Sequence, residues 1–153
     1  MSALELKIPP PIVALLIGVA MWFLSRSGPS LELPLFVRAA AFIVLVLVGG
    51  ALAIAGNLAF KRARTTINPF KPEVTTSLVT SGIYRFTRNP MYLGLMVGLL
   101  GWAAFLFSAW MLAGPVAFVL YITRVQIMPE ERILAAKFGA TYSDYTSRVR
   151  RWL

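Results

Sequence analysis

The stretch from Ser81 to Gly94, SGIYRFTRNPMYLG, sets a basic, aromatic-studded segment directly against the start of a long apolar run. Pro129-Glu130-Glu131 stands at the far end of that run. One glutamate of the pair can bind a cation or be a solvated helix end, with Tyr84, Phe86 and Tyr92 offering aromatic faces. Each of these aromatics alone equally suits the interfacial belt of a membrane protein. On a helix, positions 130 and 131 point about 100° apart, so one carboxylate can face a site while the other faces solvent or a basic side chain. Read as the end of a helix, the pair meets the negative end of the dipole and calls for a positive partner. Arg85, Arg88 and Arg148 are candidates. Asn89-Pro90 reads as a helix start, with Asn89 as N-cap, Pro90 at the first helical position, and free N–H groups available to an acceptor. This layout places a polar site at a membrane surface and suits a membrane-soluble substrate.

The elements that position these residues follow from composition. The chain has 153 residues, room for one domain, and 58% of them are hydrophobic against 14% charged. Mean hydropathy is +0.74. A soluble chain of this length cannot hide so much apolar surface, and the apolar residues come in blocks, as membrane spans do. Cysteine and histidine are both absent. That excludes disulfides, Cys/His metal sites, thiol catalysis and a histidine base, and no metal is expected. The net charge of +9 fits a cytoplasmic bias of Lys and Arg better than nucleic acid.

The sequence predicts an all-α integral membrane protein. Four spans cover about 11–25, 37–60, 90–107 and 110–128, with a cytosolic loop over 61–89 and a helical cytosolic tail over 129–153. The first span is short; a secretory signal is the alternative, but no cationic segment precedes it and Ser25-Arg26-Ser27 is a poor cleavage site. The uncharged run Leu93–Thr123 would make a helix about 46 Å long against a hydrocarbon core of about 30 Å, so it must turn, with a hairpin near Ser108. Gly49, Ala53 and Gly56 form one small-residue face for a neighbouring helix. Gly94, Gly98 and Gly101 form another, for helix packing, close approach to a ligand, or both. Basic residues gather in the 61–89 loop (Lys61, Arg62, Arg64, Lys71, Arg85, Arg88) and in the tail (Arg132, Lys137, Arg148, Arg150, Arg151). Both termini are therefore expected in the cytoplasm. Asn68-Pro69, Lys71-Pro72 and Ser81-Gly82 break the loop. In the tail, Phe138-Gly139 ends a first helix. Tyr142, Tyr145, Val149 and Trp152 follow at helical spacing, on a second helix that lies on the headgroup surface or closes over the site.

These residues carry a resemblance. Arg88-Asn89-Pro90-Met91-Tyr92-Leu93-Gly94, a two-helix hairpin, Glu130-Glu131, Phe138-Gly139, Tyr142, Tyr145 and the final Val-Arg-Arg-Trp resemble the isoprenylcysteine carboxyl methyltransferase and phospholipid methyltransferase superfamily over about residues 65–153. The resemblance implies S-adenosylmethionine as cofactor and methyl transfer to a lipid or lipidated acceptor in a membrane, here a bacterial inner membrane. It implies cofactor binding by Tyr84, Arg88, Asn89, Pro90, Tyr92, Gly94, Gly98, Glu130 and Glu131. It also implies acceptor-side catalytic roles for Tyr145, Arg148 and Arg151. Asn89 stands where carboxyl methyltransferases usually have histidine, and Arg150 where many relatives have proline; both departures weaken prenylcysteine as the acceptor. A sulfonium cofactor with an ammonium and a carboxylate needs an acidic anchor, a basic or N–H anchor and aromatic walls. Glu131, Arg88 with the Asn89 region, and Tyr84 or Tyr92 supply these. An anionic acceptor needs no base, whereas an amine would need Asp144 or Glu130. Two other classes fit the layout. A basic membrane scaffold would bind anionic lipid or a partner and tolerate Glu131→Ala. A membrane reductase would bind NADPH. The sequence does not set the oligomeric state.

Overall fold

A computed structural model describes residues 6–27, 32–63 and 77–153. Expectations resting on Arg64, Asn68-Pro69 and Lys71-Pro72 lie outside the described residues. Within them the protein is helical, with no strand. Helix α1 spans Pro10–Ser25, α2 Leu35–Arg62, α3 Pro90–Leu106, α4 Ala113–Ile122 and α5 Met128–Arg148. Proline opens α1 and α3 at a position that has no intrahelical N–H partner to lose. Two helical stretches, Leu35–Arg62 and Trp110–Arg148, are long and apolar enough to cross a membrane, while Pro10–Ser25 and Pro90–Leu106 are shorter apolar helices.

The expected hairpin is present. Phe107 ends α3 in the left-handed conformation, Ser108 is extended, and a 3-10 turn over Ala109–Leu112 leads into α4. Helices α2 and α3 pack backbone to backbone because both present glycine at the crossing. A Cβ on Gly49 would stand 2.5 Å from the Gly94 carbonyl oxygen, and one on Gly94 would press on the Gly49 carbonyl. Two turns further along α2, a Cβ on Gly56 would meet the Pro90 ring at 3.0 Å. A second layer, α1 and α4 against α3, buries Val13, Met21, Leu99, Ala103, Met111, Phe118, Ile122 and Ile127. Ile43, Leu47 and Ile54 on α2 and Leu15 and Phe23 on α1 remain exposed, the apolar outer surface expected of a bundle solvated by lipid.

The end of α4 departs from expectation. The helix does not stop before Glu130; it passes through a π-turn over Thr123–Ile127 directly into α5. The glutamate pair therefore lies in the first turn of α5, within a continuous helical path, and the expected clash with a helix C-terminus does not arise. The extra residue of a π-turn rotates everything beyond it by about 100° relative to an uninterrupted α-helix. Near its middle, α5 breaks at Gly139 (φ 49°, ψ −124°), as the Phe138-Gly139 pair predicts. The segment after Gly139 is shorter than its side-chain spacing implies. It ends at Arg148, and Val149 is extended (φ −122°, ψ 128°), so Val149 and Trp152 lie on a strap rather than a helix face.

Candidate functional site

The site forms where that strap returns to the start of α3. Asn89 precedes a proline and is thereby pushed out of helical geometry, to φ −131° and ψ 56°. Its side chain does not cap α3; it donates from Nδ2 to the Arg151 carbonyl at 2.9 Å. The Arg88 N–H donates to the Arg150 carbonyl at 3.1 Å. Thr87, fully buried, accepts the Asn89 N–H on Oγ1 (3.2 Å) and donates to the Arg151 carbonyl (3.4 Å). Three successive residues of one segment thus hold the backbone of the other. The Trp152 indole N–H adds a hydrogen bond to the Thr123 hydroxyl at the π-turn (3.2 Å), and Tyr145 donates to the Tyr84 carbonyl (2.8 Å).

These backbone contacts bring two guanidiniums onto one carboxylate. Glu131 receives Arg151 as a fork, Nε to Oε1 at 3.0 Å and Nη2 to Oε2 at 2.6 Å, and Arg88 Nη1 at 3.2 Å. The side chains of Arg88 and Glu131 are 14% and 18% exposed, that of Arg151 36%. Glu131 holds the Arg151 guanidinium protonated more firmly than usual. Glu130 points elsewhere, as the 100° offset requires. Its Oε1 accepts both the Tyr92 hydroxyl (2.7 Å) and the Gln126 amide (2.6 Å). The Tyr142 phenol sits beside this ion cluster. Burial, reinforced by Glu131 and opposed by Arg88 and Arg151, pushes its pKa up to about 12, so it stays a neutral donor. Burial likewise raises the Tyr84 and Tyr145 phenols. Arg88 Nε is buried without a hydrogen-bond partner.

The structure therefore gathers Arg88, Asn89, Tyr92, Glu130, Glu131 and Arg151 at one end of the bundle. Tyr84 and Tyr145 flank this group, near enough to feel Glu130 and Arg88 respectively, but their side chains have other partners. Arg148 is exposed and donates to the Asp144 carbonyl of its own helix (3.1 Å). The Tyr84 ring turns into a cluster with Ala59, Val79 and Ile83 and meets Phe60 edge-on, centroids 5.4 Å apart. The Tyr145 hydroxyl is used in holding Tyr84. Gly94 and Pro90 face α2, whereas a Cβ on Gly98 would meet nothing within 4 Å. Sequence reasoning missed Thr87, Gln126 and Tyr142 as members of the cluster. For Gln126 the signal was an amide two residues beyond the charge that ends the apolar run. For Thr87 there was none, because its role is set by a segment about 64 residues away.

Comparison with known proteins identifies the family. The profile of the phospholipid methyltransferase family matches residues 37–141. An uncharacterized protein of Haemophilus influenzae is 43% identical over 63 residues, 41% of this chain and all of its own length. Methanethiol S-methyltransferase 2 of Bradyrhizobium diazoefficiens is 40% identical over 73 residues, 48% of this chain and 27% of that protein. Protein-S-isoprenylcysteine O-methyltransferase A of Arabidopsis thaliana is 29% identical over 110 residues, 70% of this chain and 54% of that protein. The chain thus spans only about a quarter to a half of the length of these two named relatives. No solved structure matches. The profile match takes in more than half of the chain, and with it both the Arg88–Tyr92 segment and the glutamate pair: the chain belongs to the phospholipid methyltransferase family.

Proposed function

We propose that this protein transfers a methyl group from S-adenosylmethionine to a lipophilic acceptor at the cytosolic face of a bacterial inner membrane. Four helical passes hold it there, with both termini in the cytoplasm. The observation that carries this reading is the Glu131 carboxylate, clamped by Arg88 and Arg151 from two distant segments beside the Glu130–Tyr92–Gln126 network. The donor set fits a zwitterionic cofactor. The partnerless, buried Arg88 Nε offers a donor to a carboxylate, and the two glutamates offer acceptors to a cationic group. When bound, the cofactor would supply an electrophilic methyl carbon on a sulfonium, for displacement by an acceptor lone pair with the C–S electron pair leaving on sulfur.

The residues of the chain then bind, orient and exclude water, which is where most of the rate of such a displacement arises. Arg88 and Arg151 fix the Glu131 carboxylate in one geometry. Tyr92 and Gln126 do the same for Glu130. The strap over 149–152 covers the cluster from the cytosolic side. The chain has no histidine and Asp144 is exposed on α5, so an amine acceptor would depend on Glu130 alone as its base. This supports a carboxylate or thiolate acceptor, which needs no base, over an amine.

Calorimetric titration of S-adenosylmethionine and its demethylated product into purified protein, with NADPH as control, tests the reading. Micromolar binding of the first two alone is expected, with more than tenfold weaker binding by Glu131→Gln in a folded protein. Absence of binding by folded wild-type protein would overturn it and favour a lipid-binding scaffold.

A further inference from the structure

At the end of the bundle opposite the Glu131 cluster lies a second feature, independent of the methyltransferase reading. Helices α1 and α2 flank α3, leaving between them an open groove of about 490 Å³ lined by Ala14, Gly18, Trp22, Phe42, Leu99 and Trp102 among others. This volume lies in the range of small-molecule sites. Its floor is rigid. The Trp102 indole N–H donates to the Gly18 carbonyl at 2.9 Å, Trp102 stacks on Phe105 (5.4 Å, 11°), and Phe42 leans on both rings at 5.7 Å. The lining is apolar and aromatic.

Two arginines stand at the rim, with Glu32 exposed on the segment that leads into α2. The Arg26 guanidinium lies over the Trp22 ring, 3.9 Å from its centroid. Arg38 donates from Nε to the Phe105 carbonyl at 2.6 Å and lies 5.5 Å from the Phe105 ring. Both positions stand beside rings that line or buttress the groove, at the C-terminal end of α1 and the N-terminal end of α2. Among the described residues neither arginine has a carboxylate partner. Each is pinned by its aromatic contact, leaving guanidinium N–H groups for an acceptor. Arginine presents these in a fork that matches phosphate geometry.

We propose that this groove binds one anionic phospholipid, an acyl chain on the Trp102 floor and the phosphate between Arg26 and Arg38. A zwitterionic lipid fills the same apolar volume but cancels part of the rim attraction. The preference for the anionic headgroup is therefore carried by the two arginines, about fivefold each for charges near a membrane surface.

Native mass spectrometry of the full chain in detergent with equimolar phosphatidylglycerol and phosphatidylethanolamine tests this. One retained lipid is expected, phosphatidylglycerol over phosphatidylethanolamine by about 25-fold. Arg26→Ala and Arg38→Ala should each lower the preference about fivefold. Gly18→Leu, whose new side chain points at Leu99 and Trp102 from ordinary contact distance, should abolish retention of both lipids. Arg38→Ala also removes a hydrogen bond, so Arg26→Ala carries the test if Arg38→Ala fails to fold. Equal retention of the two lipids by wild type would overturn the proposal. So would an undiminished preference in Arg26→Ala, or one lost instead in Lys61→Ala/Arg62→Ala at the other end. A dimer that Gly18→Leu converts to monomer would assign the groove to a second copy and likewise overturn it.

Discussion

Glu131→Gln keeps the shape of the side chain and removes its charge. Two guanidiniums then lose their partner, unequally. Arg151 is 36% exposed, so its pair counts as a surface one, about 0.5–1 kcal/mol even as a fork. Arg88 is only 14% exposed and would be left as a nearly buried, unpaired cation, at a cost of about 2 kcal/mol. The total, about 2–3 kcal/mol, falls on the contact between strap and α3, because the backbone hydrogen bonds of that contact are few. The Arg88 amide reports it directly, since it is protected by the Arg150 carbonyl. Hydrogen exchange at that amide should accelerate about 30- to 150-fold in Glu131→Gln, at about 1.4 kcal/mol per tenfold. In Glu131→Gln/Arg88→Gln it should exchange more slowly than in Glu131→Gln alone, because the stranded charge has gone. Exchange within twofold of wild type in the single variant would refute the electrostatic account of the strap.

Three further outcomes follow from the geometry. Arg148→Ala should leave cofactor affinity and melting unchanged within about 0.5 kcal/mol, whereas Arg151→Ala should weaken S-adenosylmethionine binding measurably by calorimetry. Gly94→Ala should destabilise by about 1–3 kcal/mol, since its Cβ meets the α2 backbone, while Gly98→Ala should melt like wild type; thermal melts in one detergent decide both. A drop in cofactor affinity with an unchanged melt in Gly98→Ala would give that face a ligand-binding role. Tyr145→Phe leaves the buried Tyr84 carbonyl without its donor and should cost about 1–3 kcal/mol, read as a lowered unfolding midpoint with cofactor affinity preserved once folded.

Much of this protein is legible in its residues because its strongest signals are local. Apolar blocks bounded by proline and charge set α1, α2 and α3, and an apolar run too long for one crossing forced the hairpin near Ser108. Gly139 ended the first part of α5, since its combination of φ 49° with ψ −124° lies outside the left-handed helical well and suits glycine. Spacing on a helix separated the directions of Glu130 and Glu131. Three features needed the tertiary structure. The π-turn at Thr123–Ile127 leaves no trace in hydrophobic periodicity, yet it decides which way the glutamates face. The extended strap at Val149 overrides a helical side-chain pattern because its carbonyls find donors on Arg88, Asn89 and Thr87. The choice of Arg151 over Arg148 as partner to Glu131 depends on which of two nearby arginines lies beyond the last helical turn. Sequence by itself thus determined which segments are helical and which residue types stand at the bundle's polar end. The pairing of carboxylate with guanidinium was decided only by the fold, because those partners lie 20 and 43 residues apart along the chain (151 minus 131, 131 minus 88), where local propensity carries no information.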